Sequence, residues 1–209
     1  MITPRTATDL ALFGGKLAVD IPPPHFRWPV ITQEEEEAVL TQLRSGPLSF
    51  GRRSGVIEQF ESEFADFHKM PYAISTHCGT GALHAAFFGL GLKHGDEVLA
   101  PAYAHIATVQ PMVHVGLIPV LCDVDENTGN IDPADAERRI SSRTRAIVVI
   151  HQYGHVADMD AIHAMSRRHG LRIIEDASHA HGATYNGALA GTLRRRSLQP
   201  PITQSDHRR

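Results

Sequence analysis

The stretch Leu171-Arg-Ile-Ile-Glu-Asp-Ala-Ser-His-Ala-His-Gly182 decides how this chain is read. Leu171 to Ile174 form a short apolar strand that stops at two acids, Glu175 and Asp176. His179 and His181 follow at a spacing of two, and then a glycine. In open α/β sheets ligands bind outside the carboxyl ends of parallel strands, so a carboxylate there stands where a site forms. An aspartate at a strand end also caps turns, and this stretch alone supports either role.

Moving outward, residues 157–169 carry a helical pattern and 146–150 a strand. Before them come a strand at 118–122 with a helix at 133–140, and a strand at 97–100 with a helix at 105–115. A strand at 72–76 precedes a helix at 79–92. Five strands alternating with helices predict parallel βαβ units, hence an α/β fold of three layers, α/β/α, around a mostly parallel sheet. Farther upstream, Val56, Ile57, Phe60, Phe64 and Phe67 recur at helical spacing over 54–68 and read as core. Thr32-Gln-Glu-Glu35 fits a capping box that opens a helix closing near Ser45-Gly46. Pro22 to Pro24 and Pro29 exclude a helix in residues 1–31, an arm that Phe26 and Trp28 are expected to pin. The expected organisation is an arm over 1–31, a domain over 32–193 and a tail over 194–209.

At 42% hydrophobic and 21% charged, the composition is that of a globular chain. A net charge of −3 gives no general attraction to nucleic acid or an anionic membrane. No apolar run approaches the ~20 residues of a membrane span, and no export signal is visible. The expectation is a cytoplasmic protein in which Cys78 and Cys122 stay reduced.

The loops after the strands should share one sheet edge. In Thr76-His-Cys-Gly-Thr-Gly-Ala-Leu83, glycines flank Thr80 at a helix start. Backbone N–H groups, a hydroxyl and the positive helix end suit a phosphate; close packing of a glycine-rich turn is the other explanation. Neither the dinucleotide fingerprint nor a P-loop is present. In Ala100-Pro-Ala-Tyr-Ala-His-Ile-Ala-Thr108, Tyr103 or His105 is flat enough to lie over a bound ring. Asp123-Val-Asp125 suits a cation or, more simply, a solvated turn. His151 with His155, and Asp176 with His179 and His181, have ligand-like spacing, which leaves a metal hydrolase as an alternative. Against it, Gly154 interrupts the first pair and 14 histidines make chance pairs common.

These segments together resemble the DegT/DnrJ/StrS-type sugar aminotransferases. The resemblance rests on Gly79-Thr-Gly-Ala-Leu, Gly95-Asp-Glu-Val-Leu-Ala-Pro-Ala-Tyr, and Asp123-Val-Asp with Asn130-Ile-Asp-Pro133. It also rests on His151-Gln-Tyr-Gly, Ala157-Asp-Met-Asp160 and Glu175-Asp-Ala-Ser-His-Ala-His-Gly, in order over about residues 10–193. The resemblance implies the large domain of a fold-type-I pyridoxal-phosphate (PLP) transferase, here incomplete. It implies that Gly79 and Thr80 hold the cofactor phosphate and that Asp176 pairs with the pyridine nitrogen. His179 would stand near the ring's phenolic oxygen, and His105 where the family stacks an aromatic side chain. Asp176 and His179 would be the catalytic pair. The family acts on nucleotide-linked keto-sugars or keto-cyclitols, takes its amino group from glutamate or glutamine, and forms homodimers.

The chain departs from that pattern at its end. The family continues toward a lysine that joins the cofactor covalently, but no lysine follows Lys93. Residues 194–209 carry five arginines and one aspartate and lose helical or strand pattern. They read as the product of a frame shift, which the DNA downstream of codon 193 tests; a nucleic-acid-binding tail is the lesser alternative. The expectation is an inactive fragment that holds PLP noncovalently at best, with a non-catalytic regulatory member of the fold as the alternative.

Overall fold

The structure, a computed structural model, describes residues 11–17, 29–45, 48 and 54–193. The predicted tail, Phe26 and Trp28, and most of the predicted arm lie outside the described residues. The chain divides into two compact units, residues 1–52 and 53–209.

In the first unit, helix α1 spans Gln33–Ser45. The Glu35 carboxylate reaches back to the Thr32 N–H at 2.7 Å, as a capping box requires. The Thr32 hydroxyl donates to the same carboxylate. These bonds hold the Glu35 carboxyl below its ordinary range.

The second unit opens with α2 (Gly55–Phe67) and α3 (Gly79–Gly89). Then β1 (Glu97–Pro101), α4 (Ile106–His114), β2 (Ile118–Cys122) and α5 (Pro133–Arg138) follow. Next come β3 (Thr144–Ile150), α6 (Met159–His169) and β4 (Arg172–Asp176). The four strands lie in the order β2-β1-β3-β4, and every pairing is parallel.

Strand alternation sorts the core into two layers. Val98, Ala100, Ala146, Val148 and Ile174 pack with Leu83 and Phe87 of α3 and Met112 of α4. Leu99, Ile147, Val149 and Ile173 pack with Ala136 of α5 and Met159, Ile162 and Met165 of α6. Successive side chains of a strand point to opposite faces, so strands apolar at every position can only be central, covered on both sides. The three-layer α/β/α expectation is therefore met.

Two corrections follow. Residues 72–76, expected as a strand, are not one. A strand needs a neighbour's ladder, and no described strand pairs with this segment. Instead the Ser75 N–H and hydroxyl donate to the Glu61 carboxylate at 2.8 and 3.0 Å, while Tyr72 and Ile74 are exposed. Second, a short antiparallel hairpin, β5 (Thr184–Tyr185) and β6 (Ala188–Leu189), was not anticipated. Its turn is Asn186-Gly187 with φ of 49° and 76°, a pair that favours tight hairpins and that the sequence displays openly.

Asp135 ties α5 to the end of β2. It is 5% exposed and accepts the Asp123 N–H at 2.7 Å, Arg138 at 2.9 Å and Arg139 at 2.5 Å. Arg139 first, then the Asp123 N–H, hold its carboxyl at about 2, below an ordinary value near 3.8. A carboxylate depressed in the folded state adds stability above its unfolded pKa and loses it as pH falls through the folded one. Wild-type stability is thus expected to fall between about pH 4 and pH 2. Asp135→Ala should lower stability at neutral pH and flatten that acid step, as urea unfolding at the two ends of the window will show.

Candidate active site

β3 and β4 end side by side at Ile150 and Asp176, and β1 ends at Pro101 along the same edge. The starts of α3 and α4 meet these strand ends around a cleft of about 260 Å³. Gly79, Thr80, His105, Asp176 and His179 all line it. The five residues singled out from the sequence, drawn from three separate loops, are therefore brought together.

Asp176 closes β4. Its Oδ1 accepts the Ser178 N–H at 3.1 Å and the Ser178 hydroxyl at 2.5 Å. The turn-capping role and the position on the cleft wall thus coexist, since both bonds fall on one oxygen.

At the start of α3, the Cys78 thiol caps by accepting the Gly81 N–H at 3.4 Å. The first N–H groups of a helix have no intrahelical acceptor, and Gly79 and Thr80 hold those positions facing the cleft. The two glycines have different causes. A Cβ on Gly81 would meet the His77 ring at 2.7 Å, so close packing explains that glycine. A Cβ on Gly79 would lie 3.9 Å from the Ser178 hydroxyl, an ordinary contact, so packing does not demand it.

His105 is the N-cap of α4, with Nδ1 accepting the Ala107 N–H at 3.1 Å. That bond leaves Nε2 to carry the proton of the neutral ring. His179 stacks on Tyr153 with ring centroids 5.5 Å apart and planes at 12°.

His151 is fully buried and has no share in the cleft lining. Its Nδ1 accepts the Ala157 N–H at 3.3 Å, and Nε2 lies 3.4 Å from the Glu175 carboxylate, which also accepts the Gly191 N–H at 2.9 Å. His181 sits against the edge of Phe64 in a separate apolar groove. Among the described residues, no group of three or more His, Cys, Asp or Glu is placed to hold a metal. Asp125 accepts the N–H groups of Asn127 and Thr128 at 3.0 and 2.9 Å, which makes it a turn residue. Cys78 and Cys122 are both free thiols; burial pushes the Cys122 thiol up to about 11.

Two contributors were missed in the sequence. Gln152 lines the cleft, and its Nε2 donates to the Tyr103 carbonyl at 2.8 Å. Asn130, 3% exposed, receives the Gln152 N–H on Oδ1 at 3.0 Å and donates from Nδ2 to the His155 carbonyl at 3.0 Å. Both stand in motifs that carry the family resemblance, but neither has a role legible there, because each acts on a loop distant in the chain.

Lys93 lies in the turn before β1, at the opposite end of the strand from the cleft, with its N–H on Asp96 at 2.8 Å. Lys69 follows the end of α2.

Compared with known proteins, residues 29–198 match the DegT/DnrJ/EryC1/StrS aminotransferase family. The chain is 38% identical over 190 residues to the L-glutamine:2-deoxy-scyllo-inosose aminotransferase of Streptomyces fradiae, covering 89% of this chain and 44% of that one. An aminotransferase structure from Psychrobacter cryohalolentis superposes with a TM-score of 0.74 at 40% identity, covering 78% of this chain and 41% of that one. A GDP-4-keto-6-deoxymannose-3-dehydratase with a trapped PLP-glutamate geminal diamine superposes with a TM-score of 0.71 at 27% identity, over 78% and 43% of the two chains. The chain spans less than half the length of these relatives.

Proposed function

The chain belongs to the DegT/DnrJ/EryC1/StrS aminotransferase family, and we propose that residues 32–193 are the cofactor-binding part of a PLP-dependent sugar or cyclitol aminotransferase. The observation that carries this reading is the meeting of Asp176, the α3 helix start and two histidines in one cleft.

The residues present fit the cofactor. The N–H groups of Gly79 and Thr80, with the Thr80 hydroxyl, supply donors and a positive helix end for the phosphate. Asp176 offers a carboxylate, already oriented by Ser178, to accept the hydrogen bond of the pyridine N–H and keep the proton on that nitrogen. His179 stands on the same wall for the phenolic oxygen, and His105 lies at the α4 start as the flat side chain against the ring. When bound, PLP supplies an electron-poor ring that draws electrons from the carbon bearing the amino group.

The amino donor is glutamine or glutamate and the acceptor a keto-sugar or keto-cyclitol, a reading supported by the inosose aminotransferase and by the PLP-glutamate adduct in the dehydratase. The lysines of this sequence are Lys16, Lys69 and Lys93. Lys93 stands at the opposite sheet edge from the cleft, so it is not placed to join the cofactor.

Equilibrium dialysis with PLP, pyridoxal and inorganic phosphate tests the assignment. Charge-assisted hydrogen bonds of about 1.5–3 kcal/mol predict that pyridoxal binds about 10- to 100-fold more weakly than PLP. Inorganic phosphate should compete with PLP. Equal affinities for PLP and pyridoxal would remove the α3 start from the site.

A further inference from the structure

Tyr153 has no evident reason to adopt the backbone it does. Its φ of 50° and ψ of 31° place it in the left-handed region, which is costly for an L-residue with a large side chain. The other non-glycine residues with positive φ among the described ones, Lys69 and Asn186, sit in the turn after α2 and in the hairpin turn. Tyr153 is in a single helical turn, Gln152–Gly154, directly after β3. Burial does not explain it either, since the residue is 75% exposed.

What the conformation achieves is two contacts. The Tyr153 ring lies nearly parallel to the His179 imidazole, at 12° and 5.5 Å between centroids. Its hydroxyl is 2.8 Å from that of Tyr103. The surrounding loop is fixed independently: Asn130 holds the Gln152 N–H, and Gln152 holds the Tyr103 carbonyl. Strain that persists at a rigid turn beside a cleft is where a positioning role is expected.

We propose that Tyr153 is a positioning residue: anchored by the Tyr103 hydroxyl, it clamps the His179 imidazole in one orientation on the cleft wall. Tyr153 itself is not among the cleft-lining residues, so it acts through His179. The effect on cofactor binding rests on the PLP reading above; the clamp does not. Tyr153→Gly removes the ring and relaxes the left-handed backbone, so thermal stability should not fall. Tyr153→Phe keeps the stack and loses the hydroxyl anchor.

The experiment reads the His179 ring-proton resonances in the ligand-free protein, then titrates PLP and inorganic phosphate. In the wild type the stacked tyrosine should shift those resonances upfield. Tyr153→Gly should abolish the shift and weaken PLP about 3- to 10-fold, with phosphate affinity unchanged; Tyr153→Phe should fall between. Resonances that do not move in Tyr153→Gly overturn the clamp. A released histidine with unchanged PLP affinity overturns the positioning role toward the cofactor and leaves the His179 contact itself standing. A wild type that binds phosphate but not PLP sinks the cofactor reading instead, and the resonances still decide the clamp.

Discussion

Asp176→Ala is expected to weaken PLP binding about 10- to 100-fold while leaving inorganic phosphate binding unchanged. The first half follows from losing a charge-assisted hydrogen bond to the ring nitrogen. The second follows from geometry, because the phosphate donors belong to α3 and not to β4. Asp176→Asn separates charge from shape. The amide still accepts from Ser178 but no longer holds a proton on the pyridine nitrogen, so its PLP affinity should lie near that of Asp176→Ala. Global stability is expected to change little, since the bonds Asp176 makes to Ser178 lie at an exposed turn. Equal loss of PLP and phosphate affinity would mean that the substitution disturbs the cleft as a whole.

Asn130→Ala should be the most destabilising single change near the site. Its side chain joins two segments, and its loss leaves the buried Gln152 N–H without its partner, whereas His155 is exposed and its carbonyl can turn to water. An unsatisfied buried polar group costs about 1–3 kcal/mol, which sets the expected loss. At about 2–4 °C per kcal/mol for a chain of this size, the melting temperature should drop by about 6 °C. Asn130→Asp keeps the acceptor but loses the donor and adds a buried charge, so it should not rescue. A drop of less than about 2 °C in thermal unfolding would show that solvent reaches the Gln152 N–H. Because Gln152 and Tyr153 hang on this residue, the damage should extend to PLP affinity as well.

Much of this was legible in the sequence for physical reasons. β1 and β3 carry the apolar runs Val98–Ala100 and Ala146–Ile150, the pattern of a central strand covered on both faces, and both lie inside the sheet. α6 carries its own end signals, Asp158 at its start and Gly170 in the left-handed conformation after it. Asp176 and Gly79-Thr80 were readable because strand ends and helix starts of parallel units share one edge. Residues 72–76 misled because an apolar, β-branched run shows strand propensity but not whether a neighbour is present; Ser75 bonds Glu61 instead. His105 as a helix cap was not expected, because a ring nitrogen in that role lacks the familiar Ser, Thr, Asp or Asn signature. Asn130, Gln152 and the Tyr103–Tyr153–His179 contacts depend on residues 22 to 50 positions apart, and no local pattern encodes them.

We propose that Asp176 faces the pyridine nitrogen of bound PLP. The most direct measurement is the ¹⁵N chemical shift of ring-labelled PLP bound to this chain at neutral pH. The wild type should show a protonated nitrogen, reverting to the unprotonated shift in Asp176→Asn. An unprotonated nitrogen in the wild type, or one that stays protonated in Asp176→Asn, would contradict it.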